Sequence, residues 1–339
     1  MVRRTERVTI VDVARAAGIS VSSASVALRG EPGVSEPTRD RVLATADRLG
    51  YQPDQRARVL REQRSRQLGV TFAVGQAFDA AVVEQLYRSA ADTGYDLVLS
   101  AGTADRPDAE AAASLLRDRC PTLVLISPAI STAELVELSE RAAVVLIGSD
   151  LRADRVDSVH SDDRRGVAIA VDHLVQLGHR AITYVDGGGA VMSAIRRDGY
   201  LAAMAARGLR AHVRVLSGPP TEEAGIAAAR RILDGRELPT AVLTHNDQIA
   251  FGLLLTLRQH GIGVPEQVSV VGYDDTRLAS LSTIGMTSVS QDTRQLARTA
   301  ITRAIARVED PGAAAEEFVA APALVVRNTS GPPRSPAAS

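Results

Sequence analysis

Few groups of residues in this chain have both the types and the spacing that chemistry needs. Gly187-Gly188-Gly189 follows a short β-branched run and precedes a helical stretch, the place for a loop that cradles phosphate. It has neither the G-x-G-x-x-G spacing nor the lysine and hydroxyl of a P-loop, so no cofactor site is expected there. His245 beside Asn246 and Asp247, and His160 near Asp162 and Asp163, are the pairings that could ligate a metal or exchange a proton. Neither comes with a third ligand or a nucleophile, and Cys120 is the single cysteine, so no intramolecular disulfide is possible. The expectation is no catalytic residue, no metal and no cofactor, hence not an enzyme. What is left is recognition by hydroxyls, amides, carboxylates and guanidinium groups. The chain contains no lysine, so each basic side chain is an arginine able to grip a phosphate or a guanine with two hydrogen bonds.

The elements that must position these groups come in two kinds. Near the N-terminus, Thr9 and Asp12 form a capping-box-like start, and Ile10, Val13, Ala14 and Ala17 recur at helical spacing until Gly18. Ser20 can cap a second short helix through Leu28, closed by Gly30, and Gly18-Ile19-Ser20 is the right length for a helix-turn-helix connection. Ser35, with Pro37 in the next turn, opens a third helix carrying Val42, Leu43, Ala46 and Leu49, stopped by Gly50. Periodicity alone leaves open whether this small three-helix domain serves protein contacts or nucleic acid. From Leu68 onward, short β-branched runs alternate with Ala-rich helical stretches, which implies an α/β core of doubly wound parallel sheets. One series of strands is expected at 68–74, 96–100, 122–127 and 144–148, and a second at 181–185, 213–216, 241–244 and 268–273. Two such lobes imply a cleft, with ligands beyond the carboxyl ends of the strands.

Charge divides along the same line. Residues 1–67 hold 13 arginines against 8 carboxylates, a surplus of +5, while the rest of the chain carries −6. A basic head on an acidic body fits a polyanionic partner for the head. With 45% hydrophobic residues the 339-residue chain has core enough to exclude disorder. No stretch approaches the roughly 18 uncharged apolar residues of a membrane span, and the basic start lacks a secretory signal's apolar run. Cytoplasmic, nucleoid-associated placement is the expectation.

The detailed motifs narrow the reading. Thr-Ile-Val-Asp-Val-Ala-Arg-Ala-Ala-Gly-Ile-Ser-Val-Ser-Ser-Ala-Ser from Thr9, then Val-Ala-Leu-Arg-Gly, Val-Ser-Glu-Pro-Thr-Arg-Asp-Arg-Val-Leu and Leu-Gly-Tyr-Gln-Pro, resemble the DNA-binding head of the lactose/galactose repressor (LacI/GalR) family. The resemblance continues to about Thr329 through His160 to Gly166, Asp172 to His179, Thr244-His245-Asn246-Asp247 and Val271-Gly272-Tyr273-Asp274-Asp275, which look like the repressor core with its periplasmic-binding-protein-like architecture. It implies a helix-turn-helix head over 1–50 and a hinge helix and linker over 51–67. A two-lobed effector-binding and dimerisation core follows over 68–330, with the N-lobe at 68–164 plus 293–322 and the C-lobe at 165–292 plus 323–330. A disordered tail is expected over 331–339.

By matched position, Val21, Ser22 and Val26 face base edges and Ser23, Ser25 and Arg29 lie near phosphates, while Ala57 and Leu60 belong to a hinge helix whose leucine wedges into the minor groove. Many members carry arginine where this chain has Val26, and valine cannot read guanine bidentately. Effector contacts are implied for Phe78, Ser127, Arg196, Asn246, Asp274 and Gln291, with Arg196 on the loop that also carries Ser193. One guanidinium, one carboxylate and several amides and hydroxyls suit a polyhydroxylated ligand such as a sugar. Two departures bear on it: Gly148 stands where the family often has a cleft aspartate, and the loop Gly75-Gln76-Ala77-Phe78 is a residue short. Phe78 and Phe251 are the candidate stacking rings. Asp162 is expected to cap a helix starting near Gly166, and His173 to be a packing residue. The partners implied are a palindromic double-stranded operator, a small carbohydrate effector and a second copy of the chain; no leucine heptads follow Asn328, so a dimer is expected. The alternatives are a regulator gated by a protein corepressor and a metabolite-binding or enzymatic α/β protein whose head tethers it to DNA.

Overall fold

The computed structural model describes residues 10–29, 33–49, 66–235, 237–310 and 312–334. They fall into two compact units, Met1–Gln63 and Arg64–Ser339.

In the first unit, α1 (Ile10–Ala17) stops at Gly18, whose φ of +68° lets the Ile19 N–H turn back to the Ala14 carbonyl at 3.1 Å. The Ser20 hydroxyl then accepts the Ser23 N–H at 3.1 Å and starts α2 (Val21–Arg29), and the two helices bend by 98°. Before α3 (Glu36–Arg48), Ser35 is extended, and its hydroxyl pairs with the Thr38 side chain at 2.9 Å. Val13, Ala14, Ala17, Ala24, Ala27, Val42 and Ala46 are the buried core. Being mostly alanine, it removes little apolar area from water, as expected of so small a unit.

The second unit holds two six-stranded sheets. The N-lobe sheet is built from β1 (Gln67–Ala73), β2 (Asp96–Gly102), β3 (Thr122–Ile126), β4 (Ala143–Ile147), β5 (Val156–Ser161) and β11 (Glu317–Ala320), in the order β2-β1-β3-β4-β5-β11, all parallel. Its helices are α4 (Ala77–Ala90), α5 (Asp108–Arg117), α6 (Thr132–Arg141) and α12 (Thr293–Glu309). The C-lobe sheet takes β6 (Ile182–Asp186), β7 (Arg214–Ser217), β8 (Ala241–Thr244), β9 (Ser269–Asp274), β10 (Thr287–Ser290) and β12 (Ala323–Val325), in the order β7-β6-β8-β9-β10-β12. Around it lie α7 (Asp163–Gln176), α8 (Ser193–Ala206), α9 (Glu222–Leu233), α10 (Asp247–Gln259) and α11 (Arg277–Ser280). The chain crosses between lobes after β5, β10 and β11, and α12 returns Leu296, Ala297, Ala300 and Ile301 to the N-lobe core. In both sheets the strand order reverses beside the lobe's first strand, which makes a crevice at the carboxyl ends.

Several details differ from the sequence reading. β12 pairs antiparallel with β10, so the C-lobe sheet is mixed. β5, β10, β11 and β12 had no expected counterpart. β5 reads Val-Asp-Ser-Val-His-Ser, too polar to look like an inner strand; it is buried because Asp157 accepts the Arg303 Nε–H of α12 at 2.8 Å and the Glu316 N–H at 3.0 Å. Helix α7 starts at Asp163, three residues ahead of Gly166, with Asp162 accepting the Arg165 N–H at 3.0 Å. The expected disordered tail begins with a bonded residue. The Gly331 carbonyl faces His179 Nε2 at 2.8 Å and its N–H donates to Ser269 Oγ at 3.0 Å. Among the described residues no single helix is long and apolar enough to cross a membrane.

Candidate functional site

A cavity of about 260 Å³ lies between the lobes, and every residue lining it ends or follows a strand at its carboxyl end. Phe78 follows β1 and Ser127 follows β3 on the N-lobe side; Arg196, Asn246, Asp274 and Gln291 come from the C-lobe after β6, β8, β9 and β10. All six residues implied by the family pattern are thus brought together. Phe251 is not among the lining residues; half-buried on α10, it packs against the C-lobe core. Ser127, Met192 and Asp274 line the cavity at φ of 43°, 63° and 106°, backbone states that non-glycine residues rarely adopt.

The C-lobe wall is an ordered polar network. Arg196 is 5% exposed and lies 3.8 Å over the Tyr273 ring. Its Nε donates to Asp163, its Nη1 donates to the His245 carbonyl at 2.7 Å, and Asp274 Oδ1 is 3.6 Å away. Burial opposes the guanidinium charge, but Asp163, Tyr273 and Asp274 outweigh it and raise its pKa. Burial pushes Asp274 up to about 8 against the pull of Arg196, and Gln291 Nε2 donates to its Oδ1 at 2.7 Å. Asn246 caps α10, its Oδ1 accepting the Ile249 N–H at 3.0 Å while its Nδ2 donates to the Pro220 carbonyl.

The histidine clusters of the sequence separate. His245 lines the cavity with Nδ1 buried and without a hydrogen-bond partner, and burial followed by the charge of Arg196 lowers its pKa well below the usual value, so the ring is neutral. Asp247 faces the opposite way, taking hydrogen bonds from Thr276 N–H at 2.7 Å and Ser288 Oγ–H at 2.6 Å. His160 pairs with Glu317 at 2.9 Å, Asp163 with Arg196, and His173 with Ser330 at 2.9 Å. No metal-holding group of side chains occurs among the described residues. In the glycine run Gly187 serves packing, since a Cβ there would sit 2.6 Å from the His245 ring, whereas one at Gly189 would meet nothing within 4 Å.

The N-lobe wall holds two carboxylates that sequence reasoning missed. Asp79 is 1% exposed; its Oδ2 accepts the Ala73 N–H at 2.8 Å, and burial raises its pKa to about 7 although Ala73 and Ser127 both lower it. Asp108 Oδ2 accepts the Ala129 N–H at 2.8 Å. Each stands in the first turn of a helix, where an acidic residue reads as a response to the helix dipole. The signal that could have singled them out is their place just beyond β1 and β2. Gly148, at φ +63°, ends β4 between Ser127 and Phe78, and a Cβ there would meet the Ser127 hydroxyl at 3.2 Å. The carboxylates on this wall therefore come from the first two strands and not the fourth.

In the first unit, Val21 and Ser22 are exposed and Ser25 and Val26 half-buried, spaced to share one face of α2, while Ala24 and Ala27 face its core. Ser23 is half-buried beside the Ser20 hydroxyl, 2.8 Å away. Arg29 ends the helix, with its side chain outside the described part, and Ala57 and Leu60 lie outside the described residues altogether.

Comparison with known proteins adds a second line. Residues 9–54 match the model for bacterial regulatory proteins of the lacI family, and residues 171–330 that of a periplasmic binding protein-like domain. The HTH-type transcriptional regulator GalR of Escherichia coli strain K12 is 31% identical over 330 residues, 96% of each chain. A LacI transcriptional regulator from a Rhodococcus species superposes with a TM-score of 0.77 at 40% identity, over 80% of this chain and all of that one. A lac repressor dimer bound to operator and the anti-inducer ONPF gives 0.71 at 25% identity, over 96% of this chain and all of that one.

Proposed function

The chain belongs to the lacI family of bacterial regulatory proteins and is a DNA-binding transcriptional regulator, and from that premise we propose that it is a repressor gated by a small polyhydroxylated effector, a sugar or close relative, held in the interlobe cavity. The observation that carries this reading is the convergence of Phe78, Ser127, Arg196, Asn246, Asp274 and Gln291 on one cavity from both sheets. Ligand hydroxyls extend the Gln291–Asp274 hydrogen bond and meet the neighbouring Arg196 guanidinium, and an apolar molecule of the same size would leave those groups unmatched.

On the DNA side, the exposed face of α2 suits the major groove of one half-site, with Val21, Ser22 and Val26 toward base edges and Ser23, Ser25 and Arg29 toward phosphates. Val26 supplies an apolar contact for a thymine methyl where an arginine would read guanine. Two copies of the chain on a two-fold symmetric operator place two hinge segments side by side, each with Ala57 and Leu60 at the minor groove. Ligand binding between the lobes then shifts the population between hinge-paired and hinge-separated states.

Selection of binding sites from random double-stranded DNA, with and without a panel of sugars and nucleosides, tests the reading. A two-fold symmetric site whose occupancy one compound changes is the expected outcome. A symmetric site indifferent to every compound would shift the gating to a protein partner, and no enriched site would remove the regulator's specificity. Leu60→Ala is expected to leave the thermal transition in place and weaken operator binding; unchanged affinity would make 54–61 a passive linker.

A further inference from the structure

Opposite the cleft, where the C-lobe strands begin, the last described residues of the chain run across the amino ends of β9 and β10. Thr329 is fully buried there: its carbonyl accepts the Val270 N–H at 2.7 Å, and its hydroxyl accepts the Thr287 N–H at 2.9 Å while donating to the Val270 carbonyl at 2.7 Å. The two residues after it are held differently. Ser330 Oγ meets His173 Nε2 and Thr287 Oγ1, each at 2.9 Å, and the Gly331 carbonyl faces His179 Nε2 at 2.8 Å. Ser269 Oγ exchanges hydrogen bonds with the Gly331 N–H and carbonyl, both at 3.0 Å. Two histidines, one in the last turn of α7 and one just after it, thus close over a segment that has no part in the cleft.

The bonding fixes what a further proton would do. A carbonyl only accepts, so His179 carries its hydrogen on Nε2, and its Nδ1 is buried without a partner. Protonation would put a charged N–H at Nδ1 with nothing to receive it. Burial lowers the pKa of both rings; at His179 the Gly331 carbonyl opposes this and the charge of His173 adds to it. Of the charged groups on the surrounding elements, Asp172 is engaged by Arg207 and Arg327 by Asp275, while Arg180, Glu266 and Arg334 are exposed to water. None of these carboxylates bonds either ring, so an imidazolium formed here gains no partner. With folded-state values below the ordinary 6.5, the closed arrangement is favoured above that pH and loses its advantage as the pH falls through 6.5 toward the lowered values.

We propose that His173 and His179 form a pH-sensitive clasp: with both rings neutral they hold Ser330 and Gly331 against the C-lobe, and mild acid frees the chain from Ser330 to Arg334 while Thr329 and β12 stay in place. The clasp grips the amino ends of β9 and β10 and the carboxyl end of α7. The opposite ends of these three elements lead to Asp274, to Gln291 and to the Asp163 that holds Arg196. The device therefore acts on the elements that support the C-lobe wall from below and leaves the wall's own groups untouched.

The test attaches a nitroxide to the full-length protein through Arg334→Cys, since Cys120 is buried and its thiol is pushed up to about 11, which keeps it unreactive. Between about pH 8 and about pH 5.5 the mobile fraction of the label is expected to rise at least about fivefold, with far-UV circular dichroism unchanged. His173→Gln combined with His179→Gln keeps an amide N–H near each Nε2 position and does not titrate. In that protein the rise is expected to stay below about 1.5-fold, and should the double variant not fold, His179→Gln alone is expected to cut it by at least about half. A label with the same mobility at both pH values, or the full release in the glutamine variants, would overturn the clasp. Circular dichroism lost over the same range would replace it with acid unfolding of the whole protein.

Discussion

On the C-lobe side of the cleft, Arg196, Asn246, Asp274 and Gln291 are each bonded to another part of the same lobe, whereas on the N-lobe side Phe78 and Gly148 offer shape, Asp79 is held by the Ala73 N–H and the Ser127 hydroxyl, and Asp108 is held by the Ala129 N–H. A wall whose polar groups are already oriented recognises a ligand at little cost in side-chain entropy. A wall made of a ring, a glycine, a serine hydroxyl and two carboxyls has fewer polar groups tied in place. On the proposed effector reading, the expected division of labour is recognition by the C-lobe and closure by the N-lobe.

The largest effect that would break this comparison is at Arg196. Arg196→Met leaves Asp163 buried at 3% exposure without its guanidinium and Asp274 without its neighbour. Removing one partner of a buried pair costs about 3–5 kcal/mol, and ligand binding is expected to be lost with it. Urea denaturation gives the number. A variant as stable as the parent protein would mean that the C-lobe wall is not held by this pair.

Asp79 sharpens the comparison from the other wall. Its folded-state pKa of about 7 lies above the ordinary 3.8, so between those values the folded protein holds a proton that the unfolded chain has released. Stability contributed by this group therefore falls as pH rises from about 4 to about 7 and levels off above, the reverse of a salt-bridged aspartate. Asp79→Asn keeps an acceptor for the Ala73 N–H and never ionises. It is expected to match the parent near pH 4 and to exceed it by roughly 1–3 kcal/mol at pH 8. The Asp274 carboxyl, raised to about 8, adds its own decline to both proteins and drops out of the difference. Parallel curves for the two proteins would mean that Asp79 is ionised and compensated in the fold.

The two walls were also unequally legible in the sequence. The C-lobe residues sit in dense motifs, Thr244-His245-Asn246-Asp247 and Tyr273-Asp274-Asp275, whose positions can be matched by eye. The N-lobe carboxylates sit in Ala-rich helix starts, where nothing local separates a cleft residue from a dipole-compensating one. The same contrast applies to the strands. Runs such as Leu123-Val124-Leu125-Ile126 announce a buried strand, while β5 depends on Arg303, 146 residues further on, to make Asp157 tolerable inside. Local pattern carries the alternation of strand and helix, and long-range pairing decides where polar residues are allowed to be buried. Whether Asp247 belongs with His245 could not be read from adjacency, because successive residues at a helix start point in different directions.

The smallest expected effect concerns the tie between the walls. Gln248 of α10, 9% exposed, reaches across from the C-lobe: its Oε1 accepts the Ala77 N–H at 3.0 Å and its Nε2 donates to the Gly75 carbonyl at 3.1 Å and to Glu222 at 3.2 Å. It therefore holds the loop that leads into Phe78 and Asp79, so the N-lobe wall takes part of its position from a C-lobe side chain. Gln248→Ala removes two neutral hydrogen bonds to the loop and a third to the Glu222 carboxylate, worth about 1–2 kcal/mol in all, and should move the thermal transition only slightly. If closure by the N-lobe is what ligand binding drives, the same substitution weakens effector affinity about fivefold and leaves operator affinity without effector close to that of the parent. Equal effector affinity in the two proteins, measured by calorimetry, would mean that the N-lobe wall is positioned without the latch. The comparison would then reduce to a difference in polarity, with no difference in mobility behind it.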